Sequence, residues 1–297
     1  MLDSKLISKI SSISSVLEVS GYPKPGNVHR TNDFPDMVFE DFLISGVVTG
    51  DIIENATRHI KKHGVENSQV GKYILDAVRE TDKWIKNNTN LGIMMLEVPM
   101  AQATIISENF NQIQENVGLI LENSTVEDAI NLYDAINIAD AGGMGDQDEY
   151  DVQSKNAKNE LRQNNQTMFD VLEISSKWDQ LAYELTNKMP TLFNTGFKTF
   201  QTLKNESTIN DATTTTFLTS LSQVPDTLIS RKYGMDCAKN ISKKAKNILE
   251  NKNNENFKKQ LIEFDKYLFE NKFNPGTTAD LTASSIMLSF LNEAEQK

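Results

Sequence analysis

The sequence predicts an all-α protein that forms a single globular domain of many helices, with buried helices at its centre. Apolar residues recur at spacings of three and four along most of the chain, as in Leu2, Leu6 and Ile10, and this spacing is typical of amphipathic helices. No series of alternating β-branched residues joined by hairpin turns indicates a sheet. The chain has 297 residues, of which 38% are hydrophobic, and this is enough for a substantial core.

The predicted helices follow one another with short breaks. After the first run, helices are expected near 36–62, 70–85, 91–110, 125–139, 166–188, 191–204, 210–222, 235–250, 255–271 and 277–295. Ser68 is a candidate start for the helix over 70–85. Ser124, followed three residues later by Glu127, is a candidate capping box for the helix over 125–139.

Two segments are predicted to be the central helices. Residues 88–103 and 277–291 are apolar or small on most of their circumference, as expected of helices that are surrounded by others. The polar stretch 140–166 is the only candidate linker. Because similar helices precede and follow it, we expect a long loop or lid within one domain that spans residues 1–297.

Composition limits the classes of partner. There are 41 acidic and 30 basic residues, a formal charge of −11, which would repel nucleic acid in the absence of a basic stripe. A single cysteine, Cys237, cannot form an intrachain disulfide. No apolar run is long enough for a bilayer, so we expect a cytoplasmic protein without membrane contacts. A homodimer is compatible with these features, which do not determine the oligomeric state.

The common catalytic motifs are absent from the sequence. It has no GxxxxGK[ST] phosphate loop, no strand-linked GxGxxG, no HExxH and no GxSxG. His59 and His63 are four residues apart and could bind zinc. A solvated helix end is the favoured interpretation, since cations suit a helix C-terminus and no third ligand is nearby.

The loop at 23–30 is a candidate phosphate clamp. Its two prolines flank Lys24 and precede Gly26 and Asn27, which makes a rigid turn that could present Lys24 and Arg30 to an anion. The same residues could simply end the first helix and reverse the chain. The residues favour the two interpretations equally.

An acidic segment follows this loop. Asp36 and Glu40 share a face if a helix begins near Pro35, and Asp33 and Asp41 flank them. Carboxylates on one face could hold Mg²⁺ or supply a general base. Alternatively, Asp33 caps the helix and Asp36 complements its dipole.

Asn88 and Asn90 precede the first predicted central helix. Side-chain amides at a helix N-terminus could meet a ligand in a core cleft, although capping explains part of the pattern. Glu97 lies on nearly the same face as Asn90. It is either a site carboxylate or half of a buried ion pair.

Three later segments add candidates. The glycine-rich loop around Gly143 could form an anion-binding nest or a helix stop. Arg231 and Lys232 could bind phosphate. Thr277 and Asp280 have the spacing of a capping box, or Asp280 points into the cleft from the first turn of a buried helix.

Taken together, these motifs resemble the triphosphoribosyl-dephospho-CoA synthase family, the ATP:dephospho-CoA transferases that make the precursor of the citrate lyase prosthetic group. The NTNLG form at 88–92 resembles a less characterised branch. The resemblance rests on EVSGYPKPGNVHR at 18–30, DFPDMVFEDF at 33–42, NTNLGIMMLEVPMA at 88–101, GGMG at 142–145, DQLAYE at 179–184, PDTLISRKYG at 225–234 and NPGTTADLTA at 274–283.

The resemblance implies an all-α transferase with Mg²⁺ and with ATP as co-substrate. It would move the 5-triphosphoribosyl group to a ribose hydroxyl of dephospho-CoA or a related acceptor and release adenine. The residues suggest roles for themselves in such a reaction, as a hypothesis. The metal ligands would be Asp33, Asp36, Glu40 and Asp41, and the catalytic residues Asp36, Glu40 and Asp280. The nucleotide-binding residues would be Lys24, Gly26, Asn27, Arg30, Asn88, Asn90, Gly143, Arg231, Lys232 and Thr277. A different acceptor, a nucleosidase-like cleavage or a non-catalytic nucleotide-binding regulator are the alternatives.

Overall fold

The computed structural model describes residues 2–140 and 150–296. Within these ranges the chain is helical, with two isolated β-bridges and no strand, so the prediction of an all-α fold is confirmed. The helices are α1 (Ser4–Ser20), α2 (Phe39–Val48), α3 (Gly50–His63), α4 (Val70–Trp84), α5 (Leu91–Ile106), α6 (Ile113–Glu122), α7 (Val126–Ile138), α8 (Ala157–Gln163), α9 (Met168–Ser175), α10 (Gln180–Thr186), α11 (Phe197–Glu206), α12 (Ile209–Gln223), α13 (Thr227–Tyr233), α14 (Met235–Glu250), α15 (Phe257–Glu270) and α16 (Gly276–Gln296).

Helices α5 and α16 are the buried helices that the sequence predicts. Nearly every residue of α5 is buried, and it packs against α3, α4, α6 and α16. Helix α16 packs in turn against α1, α5 and α12. Its small residues allow close contact: a Cβ on Gly196, in the π-helical turn Leu192–Gly196, would lie 1.9 Å from Ser285 Oγ.

The apolar core has two main clusters. The larger is built around α5 and includes side chains of α1, α3, α4, α6, α7 and α9. The smaller joins α12, α14 and α15 through residues such as Phe217, Ile241 and Phe264. The first turns of α16 connect them, because Ala279 belongs to the smaller cluster and Leu281 and Ala283 to the larger.

Two predicted helices are interrupted in the structure. The helix expected over 36–62 divides at Thr49 into α2 and α3, and the one expected over 166–188 divides before α10. The second break has a visible cause: Asp179 is extended and its Oδ1 accepts a hydrogen bond from Ala182 N at 3.0 Å, which starts a new helix.

The loop predicted over 140–166 is only partly correct. Residues 157–163 form α8 instead, because Ala157 and Leu161 are four residues apart and both are buried in the core beside α7. Residues 141–149 lie outside the described residues.

Both predicted helix starts are wrong by one residue. The capping box of α7 is made by Thr125 and Asp128, whose backbone and side chains bond reciprocally, while Ser124 Oγ accepts a hydrogen bond from Phe169 N at 3.0 Å. Helix α4 begins after Gln69, which has a positive φ of 52°. Neither change is visible from residue type alone, since adjacent polar residues can each serve as a cap.

None of the described helices is long and apolar enough to cross a membrane. This agrees with the absence of a long apolar run in the sequence.

We expect Gly71→Ala to destabilise the fold. A Cβ at Gly71 would lie 2.2 Å from the backbone oxygen of Asp128, where α4 meets α7, and the two helices would have to separate. The free energy of unfolding in urea should fall by about 1–3 kcal/mol.

The matched control is Gly118→Ala in α6, where the three atoms nearest to the new Cβ belong to the side chain of Lys188 and not to a backbone. That side chain can move, so the control should change stability by less than about 1 kcal/mol. Equal losses in the two variants would contradict the backbone clash.

Candidate functional site

A cavity of about 470 Å³ opens at the N-terminal ends of α5 and α16. Its apolar wall includes Met95, Tyr133, Leu172, Trp178 and Leu181, and its polar wall is made by the residues that begin these helices. A cleft with an apolar wall and a few convergent polar groups is typical of a small-molecule site.

The start of α5 contributes three polar residues to the cavity. Asn88 Oδ1 accepts a hydrogen bond from Leu91 N at 3.3 Å, and Asn90 Nδ2 donates one to Thr81 Oγ1 at 2.7 Å. Between them, the hydroxyl of Thr89 is buried without a hydrogen-bond partner among the described residues. Asn88 and Asn90 therefore line the cavity, as the sequence led us to expect, and Thr89 is an additional polar group there.

Asp280 lies against the first turn of α5. A Cβ on Gly92 would be only 2.1 Å from Asp280 Oδ2, so the carboxylate occupies the space that any other residue at position 92 would fill. Among the described residues, no side chain or backbone group forms a hydrogen bond or ion pair with this carboxylate. The carboxylate lines the cavity.

The electrostatic surroundings of Asp280 favour its protonated form. Burial raises the pKa of Asp280 well above its ordinary value, and the nearby carboxylates of Glu18, Asp226 and Asp179 raise it further, while Arg231 opposes them. A carboxyl that holds its proton more firmly than usual can donate it to a leaving group, which makes Asp280 a candidate general acid.

The N-terminus of α16 is fixed by Asp226. The Oδ2 atom of Asp226 accepts hydrogen bonds from the backbone and side chain of Thr278, both at 2.8 Å, and its Oδ1 accepts bonds from Leu228 N and Ile229 N. The capping box predicted for Thr277 and Asp280 is not formed: Thr277 Oγ1 lies 3.1 Å from Thr227 Oγ1 instead. Asp226, and not Asp280, therefore bonds the start of α16, and the Asp280 carboxylate has no capping role.

Arg231 and Lys232 line the cavity from α13. The guanidinium of Arg231 is held by an ion pair with Asp179, and its Nε is buried without a partner among the described residues. Lys232 is exposed. Both cations therefore lie at the cavity, and their binding of phosphate stays a prediction.

Lys24 does not reach the cavity, contrary to the phosphate clamp predicted for its loop. Its side chain is fully buried and its Nζ pairs with Glu18 Oε1 at 2.6 Å, whereas Glu18 itself lines the cavity. Burial raises the pKa of Glu18 above its ordinary value, and the charge of Lys24 partly offsets this. The predicted cation thus pairs with a carboxylate that was not among the predicted site residues.

The rest of that loop is largely structural. Gly26 has a φ of 75° and its N–H donates to Asp265 Oδ1 at 2.9 Å; neither it nor Arg30 lines the cavity. Arg30 is exposed and its Nε donates to Ser20 O at 2.6 Å. Asn27 does line the cavity, and its Oδ1 is buried without a partner among the described residues.

The acidic segment does not form the predicted metal site. Asp33 Oδ1 accepts a bond from Phe39 N at 2.7 Å, and Asp41 Oδ2 accepts bonds from Val38 N and Asn87 Nδ2. Glu40 is exposed and only Asp36 lines the cavity. Across residues 2–140 and 150–296, no three His, Cys, Asp or Glu side chains are grouped to hold a metal ion. Two of the four carboxylates bond the backbone at the start of α2, which leaves Asp36 as the predicted ligand that lines the cavity.

Glu97 fits neither role expected for it. It is fully buried in α5, away from the cavity, and accepts hydrogen bonds from Ser11 Oγ at 2.5 Å and Ser14 Oγ at 2.9 Å. No cation pairs with it among the described residues. Burial raises the pKa of Glu97 to about 8.

Gly143 lies outside the described residues, so its predicted role stays a prediction. The residues that sequence reasoning missed are Glu18, Thr89, Asp179 and Asp226. Glu18 had a detectable signal: it is a charged residue between the apolar Leu17 and Val19 in the last turn of α1. Asp179 and Asp226 precede short helices and have the pattern of ordinary caps.

Residues 4–297 match the protein family CitG, described as ATP:dephospho-CoA triphosphoribosyl transferase. The chain belongs to this family. Members of CitG are pentosyltransferases that move the triphosphoribosyl group of ATP to dephospho-CoA, which confirms the family resemblance and the transferase class predicted from the motifs.

A crystal structure from Archaeoglobus fulgidus, whose description proposes a triphosphoribosyl-dephospho-CoA synthase, has a similar fold. Its TM-score is 0.66 at 22% sequence identity, over 84% of this chain and 98% of that one. No curated protein sequence matches the chain significantly.

We expect the stability of the protein to depend on pH through Glu97. The folded pKa of Glu97 is about 8 and its ordinary value is 4.5, so the stability that the protonated form provides is complete below pH 4.5 and is lost as pH rises to about 8. Relative to Glu97→Gln, the free energy of unfolding of the wild type should fall by up to about 1.4 kcal/mol per pH unit between pH 5 and 8.

Urea unfolding at several pH values measures this difference. The control is Glu66→Gln, which changes an exposed glutamate and should keep the wild-type pH dependence. A constant difference between the wild type and Glu97→Gln over this range would show that Glu97 does not titrate as stated.

Proposed function

We propose that this CitG protein transfers the 5-triphosphoribosyl group of ATP to a ribose hydroxyl of dephospho-CoA, or of a related acceptor, and releases adenine. The observation that carries the proposal is the coincidence of family membership over residues 4–297 with one cavity that collects the family-like segments 88–92, 225–234 and 274–283.

The two kinds of wall in the cavity suit the two ends of ATP. The apolar side chains of Tyr133, Leu172 and Trp178 offer a surface for the flat adenine ring. Arg231 and Lys232 supply positive charge for the triphosphate, and Arg231 Nε is a buried donor without a partner in the described part of the chain. A guanidinium is well suited to paired hydrogen bonds with phosphate.

Polar groups between these walls are candidates to orient the ribose. The Thr89 hydroxyl and Asn27 Oδ1 are both buried without partners among the described residues, and unsatisfied buried polar atoms favour a bound molecule that would satisfy them. We keep Asn88, Asn90 and Thr277 as binding residues because they line the same cavity.

The chemistry needs groups that stabilise positive charge at C1 of the ribose. When the bond to adenine breaks, the ribose develops oxocarbenium-like charge, as in glycoside cleavage, and nearby carboxyl groups assist. Of the three carboxylates proposed as catalytic, Asp280 is the best placed, Asp36 lies at the cavity wall, and the exposed Glu40 does not line it.

Any Mg²⁺ in the reaction belongs to the substrate in this proposal. The ion commonly binds proteins through one or two carboxylates and nucleotide phosphates, and Asp36 is the only one of the four predicted ligands at the cavity. A cytoplasmic location and a homodimer stay expectations, which fractionation and sedimentation would test.

Adenine release tests the proposal directly. With Mg²⁺ and ATP, we expect the purified protein to release adenine, detected by chromatography, only when dephospho-CoA is also present. The coupled product should carry the triphosphoribosyl group by mass spectrometry.

Each other outcome supports a different function. Adenine released without an acceptor would indicate nucleosidase-like cleavage, and release with a different hydroxyl compound would indicate another acceptor. Binding of ATP without adenine release under all of these conditions would contradict catalysis and favour a regulatory role.

We expect Arg231→Met to weaken ATP binding. Loss of charge-assisted hydrogen bonds to phosphate costs about 1.5–3 kcal/mol, so the KM for ATP should rise roughly 10- to 100-fold, with a smaller effect on kcat. Circular dichroism would check that α13 is intact, since Arg231 also pairs with Asp179.

The control is Arg58→Met, which removes an exposed arginine that pairs with Glu54 on the surface of α3. Its KM for ATP should equal that of the wild type. An Arg231→Met protein with an unchanged KM would remove Arg231 from the triphosphate site.

A further inference from the structure

Glu18 and Asp280 are two carboxyl groups that meet at the same cavity but have different surroundings. Glu18 is in the last turn of α1 and Asp280 in the first turns of α16, and both line the cavity. Their interaction is repulsive, because the charge of Glu18 raises the pKa of Asp280. Two such groups are rarely both ionised at close range.

The difference between them is the position of Lys24. Lys24 Nζ contacts Glu18 Oε1 at 2.6 Å in a fully buried pair. Asp280 is half-buried and has no cation in contact among the described residues, and an unpaired carboxyl withdrawn from water keeps its proton more readily than a paired one. When two carboxyl groups differ in this way, the paired one is suited to accept a proton and the unpaired one to donate a proton.

The second oxygen of Glu18 is available for chemistry. Lys24 bonds only to Oε1, and no described residue donates a hydrogen bond to Oε2. The Asp280 carboxylate is likewise without hydrogen-bond partners in the described ranges, and it lies where Gly92 leaves room at the first turn of α5. Neither group is therefore occupied by a structural hydrogen bond on the side that meets the cavity.

We propose that Glu18 is the general base that activates the acceptor hydroxyl, that Asp280 is the general acid that protonates the leaving adenine, and that Lys24 is a positioning residue for Glu18. This inference rests on the proposed function. It gives the Pro-Lys-Pro-Gly loop a role other than phosphate binding, namely to bury the cation that holds Glu18 at the cavity.

The step balances in atoms and charge. The acceptor oxygen bonds to C1 of the ATP ribose and its proton passes to the Glu18 carboxylate. The bond from C1 to the adenine nitrogen breaks, its electron pair leaves with adenine, and a ring nitrogen of adenine takes the proton of Asp280. Transfer of one proton from Glu18 to Asp280, through solvent, restores the starting state.

Other charged groups also act on the two carboxyls, and Lys24 interacts with Asp280 as well as with Glu18. Asp226 and Asp179, at the starts of α13 and α10, favour a protonated Asp280, and Arg231 opposes them. His29, in the loop after α1, is close enough to favour an ionised Glu18, in addition to Lys24. The kcat/KM should therefore fall at low pH as Glu18 is protonated and at high pH as Asp280 ionises.

A donor with a better leaving group separates the two roles. The β-ribofuranoside of 4-nitrophenol, carrying a 5-triphosphate, releases nitrophenolate and needs no proton from an acid. We expect Asp280→Asn to lose about 100-fold or more in kcat with ATP and to approach the wild-type rate with the nitrophenyl donor. Glu18→Gln should lose about as much with both donors, because the acceptor hydroxyl still needs a base.

The control is Glu97→Gln, which alters another buried carboxyl that does not line the cavity. It should have wild-type rates with both donors. A full rate for Glu18→Gln with ATP, equal losses of Asp280→Asn on both donors, or equal rescue of both variants would each overturn the division of roles. If the wild type itself releases no adenine from ATP, the proposed function fails, and this inference fails with it.

The role of Lys24 is tested by the pH profile of Lys24→Met. Without the lysine, the pKa of Glu18 rises, so the acidic limb of kcat/KM should move to higher pH. The basic limb should move less and in the same direction, because the charge of Lys24 also acts on Asp280. Circular dichroism and thermal unfolding would show whether the variant is folded. A folded variant with reduced kcat and an unmoved acidic limb would mean that Lys24 does not act through Glu18.

Discussion

The ion pair between Glu18 and Lys24 joins the end of α1, where Glu18 lines the cavity, to the loop that follows this helix. Both side chains are at most 2% exposed, and removing ions from water costs several kcal/mol per ion, which their mutual attraction offsets only when the contact is close. The loop that carries Lys24 is held in place by further buried contacts of Gly26 and His29 with Asp265. The chain around the cavity is therefore arranged so that the Glu18 carboxylate has the amino group of Lys24 as its buried partner.

A second constraint is the close approach of α5 and α16. Gly92 lacks the side chain that would displace the Asp280 carboxylate, and Asp226 caps the neighbouring helix end so that Asp280 is left without a structural hydrogen bond. The two central helices thus form the hydrophobic core with most of their length and present their first turns to the cavity. Core packing and site geometry depend on the same two elements.

Sequence patterns predicted the parts of this protein that depend on local periodicity. The all-α fold follows from apolar spacing, which indicates the buried face of each helix. The buried helices α5 and α16 follow from apolar or small residues around most of their circumference. Breaks such as Thr49 and the helix α8 were missed, because they depend on which neighbouring helix the segment packs against. Residue type does not report that partner.

The sequence predicted which segments line the candidate site. It did not predict where each side chain of these segments points. Asn88, Asn90, Arg231, Lys232, Thr277 and Asp280 line one cavity, as motif order suggested. Lys24, by contrast, appeared to be an exposed cation in a turn, and its burial depends on Glu18, a partner six residues away on the helix. The acidic segment was misinterpreted for a similar reason, since Asp33 and Asp41 satisfy backbone N–H groups, which compete with a metal for the same oxygens.

The central claim is that one cavity holds the nucleotide with its ribose between Glu18 and Asp280. A crystal structure of the protein with dephospho-CoA and an ATP analogue whose bond to the base cannot break would test it most directly. We predict the triphosphate at Arg231, C1 of the ribose between the two carboxyl groups, and the base on the Asp280 side. A nucleotide bound outside this cavity, or inside it with the ribose away from both carboxyl groups, would contradict the account.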